Sequence, residues 1–279
     1  MAITAQEVND LRALTGAGMM DCKKALTEAE GNVEKAIEIL RKKGQKISDS
    51  RKDREAKEGA IFALVAPNGG GAVMLELNCE TDFVGRNDDF QQMGQKFVAQ
   101  ALASKPADLA ALNAMEVEGK TIEIWCTEAM AKIGEKIAVS KYEYFEGEKV
   151  VSYIHPGARV GVLVAFAGAN GTDLTQVGRD VAMQVASMSP IAVDKDGVDP
   201  SLVQKEIEIG KEQARAEGKP EAMLEKIAVG KLNKFYKERT LLMQEFVKDP
   251  SKTIADHLAA ADPKLKVTAF RRMHLGGEN

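Results

Sequence analysis

The residues that most invite a chemical reading are Thr81-Asp82-Phe83-Val84-Gly85-Arg86-Asn87, where an aromatic ring stands beside a carboxylate. The run before them, Leu75-Glu76-Leu77-Asn78-Cys79-Glu80, reads as a strand and the residues after them as a helix, so the heptad falls in a connection. Connections run over the surface, where a large apolar side chain next to a charge gains nothing unless a partner receives it. The chemistry on offer is therefore recognition by burial of a ring in another molecule. The competing reading makes Phe83 a core residue reached by a bent strand.

Covalent chemistry has little to work with. No GxxxxGK[ST] run occurs, and the glycines at 69–71 lie in a turn between strands, where they cannot cradle phosphate at a helix start. His155, His257 and His274 are far apart and lack metal-ligand neighbours, and no GxSxG elbow is present. Cys22, Cys79 and Cys126 form no CxxC pair, which fits three inert thiols in a reducing compartment. We expect no cofactor, no metal and no enzymatic activity.

Composition narrows the partners. The chain has 279 residues, 44% of them hydrophobic and 29% charged, which implies two or three domains of a globular protein. A net charge of −4 gives no global basic field, so direct nucleic-acid binding is not expected. The densest basic stretch, from Arg41-Lys42-Lys43 to Arg51-Lys52-Asp53-Arg54, is interrupted by acids and reads as a solvated linker. No apolar run is long enough to span a bilayer. Glu7 and Asp10 on a capped first helix are unlike a signal or transit peptide, so a cytoplasmic location and no membrane contact are expected.

Several elements must position the heptad. Thr4 with Glu7 makes a capping box, and helices to about 15, over 20–29 and over 33–43 follow, the last burying Val33, Ala36, Ile37 and Leu40 and stopping at Gly44. By core reasoning one of Met19 and Met20 should be buried. From Gly59 the period changes to two, and Asn68-Gly69-Gly70-Gly71 joins two strands as a hairpin. Helices over 88–104, 107–116 and 122–134 and a strand over 137–145 come next.

The pattern then recurs. Asp89, Gln92, Gly94, Gln100 and Pro106 match Asp173, Gln176, Gly178, Gln184 and Pro190 at a constant offset of 84. Two related α/β halves follow from that. With Val73 paired to Val160, the first copy spends three more residues between strand and helix, and they fall at Thr81–Arg86. A residue set present in one copy alone is better read as a functional graft than as core. Beyond Pro190, Asp199-Pro200 and Glu217-Gly218-Lys219-Pro220 delimit two charged amphipathic helices that should pack antiparallel. A helix over 231–247, a capped helix from Ile254 and a strand over 265–270 close the chain.

The fold class is thus α+β, divided as 1–45 three-helix module resembling the ubiquitin-associated domain, 46–58 linker, 59–145 first α/β half, 146–192 with 232–270 second half, 193–231 inserted helical hairpin, and 271–279 tail. Three stretches carry a wider likeness: Leu14-Thr15-Gly16-Ala17-Gly18-Met19-Met20-Asp21-Cys22-Lys23-Lys24-Ala25-Leu26, the heptad with the residues before it, and Phe246-Val247-Lys248-Asp249-Pro250-Ser251-Lys252-Thr253-Ile254. Occurring in order from end to end, they resemble the elongation factor Ts family, guanine-nucleotide exchange factors of the translational GTPase elongation factor Tu.

That resemblance implies a partner, elongation factor Tu in its GDP-bound and nucleotide-free states, and an action on its GDP, GTP and magnesium. Thr81, Asp82, Phe83 and Val84 would be the wedge that dislodges the magnesium ion. Arg12, Met19, Met20 and Lys23 would be a second contact from the first module, and the helical hairpin could mediate dimerisation. Gly85 stands where some relatives carry a bulkier residue, with an expected effect on loop flexibility. Two other classes stay open: an RNA- or ribosome-binding translation accessory, which aromatics at 5% and away from Lys and Arg disfavour, and a ubiquitin-type adaptor, which leaves the duplicated body unexplained.

Overall fold

The computed structural model describes residues 3–277 apart from 52 and 170; Lys52 of the basic run and the last two residues of the expected tail fall outside that description. Three helices lead, α1 (Ala5–Thr15), α2 (Met19–Glu28) and α3 (Val33–Arg51). A sheet hairpin follows, β1 (Glu58–Val65) and β2 (Gly71–Cys79), then the short α4 (Asp82–Gly85) and the long α5 (Asp88–Ser104). Next come α6 (Leu109–Ala114), a small hairpin β3 (Glu116–Val117) and β4 (Lys120–Thr121), α7 (Ile122–Ile133) and β5 (Ala138–Glu146). The second half contains β6 (Lys149–Ile154), β7 (Val160–Ala167), α8 (Leu174–Met188), α9 (Pro200–Ala216) and α10 (Glu221–Arg239). It ends with β8 (Glu245–Phe246), β9 (Asp249–Thr253), α11 (Ile254–Ala261) and β10 (Lys266–His274).

The two main sheets have matching topology, β1-β2-β5 and β6-β7-β10, each antiparallel with the second strand of its hairpin in the centre. Alternation sorts the side chains. Val73, Leu75 and Leu77 face α5, as Val162, Val164 and Phe166 face α8, while Ala72, Met74, Leu163 and Ala165 meet in a core shared by the two sheets. Gly94 and Gly178 play the same part in both halves. A Cβ at Gly94 would stand 2.3 Å from the Phe62 ring, and one at Gly178 2.7 Å from Val151 Cγ2, so only glycine lets each helix lie this close to its sheet. Both helices also end alike, on a left-handed residue (Lys105 at φ 49°, Ser189 at φ 45°) just before the matched prolines.

Several local expectations need correction. α3 passes through Gly44 and runs to Arg51, and Gly44 is buried where a Cβ would lie 3.4 Å from that of Ala131 on α7. The glycine there serves packing of α3 on α7, so helix occupies the first part of the expected 46–58 linker, and Glu58 is already strand. Val33 is exposed, and Cys22, Ala25 and Leu26 fill that bundle with Val8 and Leu11. Met19 and Met20 are both exposed, at 53% and 62%.

The return helix α10 ends at Arg239, short of the expected 247. There Gln244 Nε2 donates to Glu238 O at 2.9 Å, while the amides of Leu241 and Leu242 pair with Ala192 and Val193. Tertiary hydrogen bonds have replaced the next helical turn. β10 continues to His274, since each residue from Ala269 onward has a partner on β7; the first four residues of the expected tail are edge strand, with Met273 and, just beyond the strand, Leu275 buried. α9 and α10 lie side by side in opposite directions, with Gly210 against Ala228, and Lys211 and Arg215 paired to Glu225 and Glu221.

Candidate functional site

The heptad forms a tip anchored at both ends. Thr81 is the N-cap of α4, and its hydroxyl receives the Val84 N–H at 3.5 Å. Four residues make barely one helical turn, so the anchors, not the helix, must hold it. At the front, Thr81 N–H and the Glu80 N–H donate to Glu135 Oε2 at 3.0 and 3.1 Å, and the Thr81 hydroxyl donates to Glu135 Oε1 at 2.7 Å. The Cys79 thiol donates to Thr81 O at 3.0 Å, and burial, together with the nearby Glu135 charge, pushes that thiol up to about 12. It therefore stays protonated and inert as a nucleophile.

At the rear, Gln91 Nε2 donates to Gly85 O at 2.6 Å and Asn87 caps α5 through the Asp89 N–H at 2.9 Å. Gly85 is buried, and a Cβ there would stand 3.1 Å from the Gly59 backbone. Close approach to Gly59 explains the glycine here, where loop flexibility was expected.

Between those anchors Phe83 points outward at 83% exposure, more than any other large hydrophobic side chain among the described residues. It is not a core residue. Val84 packs back onto the first α/β core, and Asp82 pairs with Arg86 at 2.9 Å, an exposed contact that solvent competes with readily. Of the residues singled out from sequence, Thr81, Asp82, Phe83 and Val84 thus occupy one tip. Arg12, Met19, Met20 and Lys23 are all exposed on α1 and at the start of α2, elements whose core is separate from that beneath Val84. Met19 and Lys23 share one helix face by their spacing of four.

Sequence reasoning missed Glu80, Gln91, Glu135 and Lys136. Glu80 accepts the Lys136 N–H at 2.7 Å, and that bond, with Arg54 and Arg51 adding to it against the cost of burial, holds its carboxyl below the ordinary value. Nothing local announces this, since the two carboxylates are separated by 55 residues of chain. A cleft of about 520 Å³ lies between the first helices and α7, bordered by Leu14, Leu40 and Ile124, but none of the heptad lines it. Among the described residues no group of three or more His, Cys, Asp or Glu could hold a metal ion, and no helix is long and apolar enough to cross a membrane.

The site is thus an exposed ring on a turn anchored at both ends. The family model for elongation factor Ts matches residues 80–277. An elongation factor Ts of Amoebophilus asiaticus is 52% identical over 276 residues, covering 99% of this chain and 100% of the relative. Those of Cytophaga hutchinsonii and Hydrogenobaculum are 53% and 45% identical, covering 98% and 99% of this chain and 99% and 100% of their own lengths. The chain belongs to the elongation factor Ts family.

Proposed function

We propose that this chain binds elongation factor Tu carrying GDP and promotes GDP release, so that GTP can rebind during translation elongation, by contact alone and without covalent chemistry. The observation that carries this reading is the anchored tip with Phe83 at 83% exposure. Phe83 and Asp82 act as the wedge that dislodges the partner's magnesium ion, Thr81 fixes the turn and Val84 seats it on the body. Arg12, Met19, Met20 and Lys23, on a module of ubiquitin-associated type, make a second contact. The chain acts in the cytoplasm without binding nucleic acid, and the α9–α10 hairpin is the candidate for any self-association.

Physically the task is one of linkage. A factor that weakens GDP on its partner must itself be weakened by GDP, so it speeds equilibration while nucleotide concentrations choose the product. A thousandfold faster release requires about 4 kcal/mol of lowered barrier. Burial of one phenylalanine supplies about 1.5–3 kcal/mol. The rest must come from wider contacts that hold the wedge in place. The test is release of fluorescent GDP from purified elongation factor Tu with and without this chain. Acceleration at substoichiometric amounts is expected; an unchanged rate, with complex formation absent by gel filtration, would overturn the reading.

A further inference from the structure

We infer that Glu80 and Glu135 are positioning residues for exchange: two carboxylates that exchange backbone hydrogen bonds and thereby aim Phe83 outward. Each reaches across to the other's chain segment. Glu135 takes the amides of residues 80 and 81, and Glu80 takes the amide of residue 136 at 2.7 Å. The pair ties the end of β2 to the connection between α7 and β5, which leaves α7 through Gly134 at φ 89°.

Every polar group of Thr81 is engaged in consequence. Its N–H and hydroxyl hydrogen go to Glu135, which turns the hydroxyl lone pairs toward the Val84 N–H. Its carbonyl accepts from the Cys79 thiol and from Gly85 N–H at 3.2 Å. A residue so fully tied has few conformations left, and Phe83 lies only two positions further on. The clamp extends to the end of α3 and the residues just after it. Arg54 Nη1 lies 3.2 Å and Arg51 Nη1 3.6 Å from the Glu80 carboxylate, and Lys136 Nζ donates to Arg54 O at 2.8 Å. Charged acceptors on backbone N–H groups make stronger bonds than neutral ones, which suits a turn too short to hold itself. Preorganisation of this kind removes an ordering cost that a loose tip would meet on binding.

This inference rests on the exchange reading, so the test separates the two. GDP release from elongation factor Tu is measured for Phe83→Ala, Glu135→Ala, Glu135→Gln and the double variant Phe83→Ala with Glu135→Ala. Glu135→Ala is expected to slow release about tenfold, equivalent to about 1.4 kcal/mol. Glu135→Gln, which keeps an acceptor for the two amides, should recover most of the rate. In the Phe83→Ala background Glu135→Ala should have a clearly smaller effect, because most of it passes through the ring. Amide hydrogen exchange at residues 82–85 should quicken in Glu135→Ala alone.

A full rate for Glu135→Ala, or an undiminished effect without the ring, overturns the positioning role while leaving the exchange reading intact. No effect of Phe83→Ala sinks the wedge reading, and no acceleration of GDP release by the unsubstituted chain sinks the exchange reading itself. Should Glu135→Ala not fold, Glu135→Asp keeps the charge but withdraws it by one methylene; the same slowing is expected, and an unaltered rate is the overturning result.

Discussion

Replacing Phe83 by alanine removes a ring that is 83% exposed, so the isolated chain loses almost no buried area. Its stability should stay within about 0.5 kcal/mol, as for surface substitutions generally. The same ring transferred into a partner's interior is worth about 1.5–3 kcal/mol. At about 1.4 kcal/mol per decade that corresponds to about ten- to hundredfold in rate. Little of it is lost to ordering, since Thr81 and Gly85 are already held on both sides of the ring. Stopped-flow release of fluorescent GDP, run across a range of exchange-factor concentrations, reads the effect directly, and a thermal melt checks the fold. Slower release with an unchanged melt is expected. Release as fast as with the unsubstituted chain would refute the wedge reasoning, because no other large apolar side chain among the described residues is as exposed.

Other outcomes follow from packing and charge. Gly94→Ala and Gly178→Ala should each destabilise the chain by about 1–3 kcal/mol by overpacking, offsetting the helix-propensity gain of about 1 kcal/mol; urea midpoints would show it, and a stabilised variant would contradict the contacts with Phe62 and Val151. Asp180, 5% exposed, lies 2.7 Å from Lys248 and 3.3 Å from His257. Burial works against its charge, but hydrogen bonds from Lys248 and Gln176 prevail and leave its carboxyl below the ordinary value. A lowered folded value gives stability that is complete above the unfolded value of about 3.9 and lost as pH falls through the folded one. Asp180→Asn should therefore lower the urea midpoint at neutral pH and flatten its decline in acid; an equally steep decline would assign the acid sensitivity elsewhere.

What could be read from the residues was what their neighbours along the chain determine. Thr4 with Glu7 and Thr253 before Ile254 are caps whose partners sit within one turn, and both form as spacing requires. The hairpin around residues 68–70 likewise needs only alternation and turn residues. Gly44 and Arg239 misled because distant elements decide them: α7 makes a helical glycine useful, and the 192–193 backbone outbids another turn of helix. Residues 271–279 read as a tail because Arg271 and Arg272 interrupt the apolar pattern of the final strand, yet Arg272 donates to Ala186 O and Met273 beside it is buried. At the site, the tip residues were legible by type, and Glu135 was not, since its partners lie 55 and 54 residues away along the chain and meet it only through the pairing of β2 with β5.

The matching topology of the two sheets lets the connections that leave their central strands be compared. In each half a carboxylate holds the turn that leaves the central strand: Glu135 takes two amides after β2, and Glu148 takes the Gly168 N–H after β7 at 3.1 Å. Counted between element ends, the connection spans residues 80–87 in the first half and 168–173 in the second, two residues longer, with Asn87 capping α5 and Asp173 capping α8. In the second half the segment folds back at once, with Gly168 at φ 73° against Lys264 O and Thr172 bonded to Asp262 at 2.7 Å. In the first half the added length becomes α4, and a single turn of helix suffices to carry Phe83 off the surface while its neighbours stay fixed. The lengthened connection thus presents a ring outside the core on which Val84 packs. Such a segment can be altered at Phe83 without disturbing the sheet, whereas changes at Glu135 or Gly85 act on its aim.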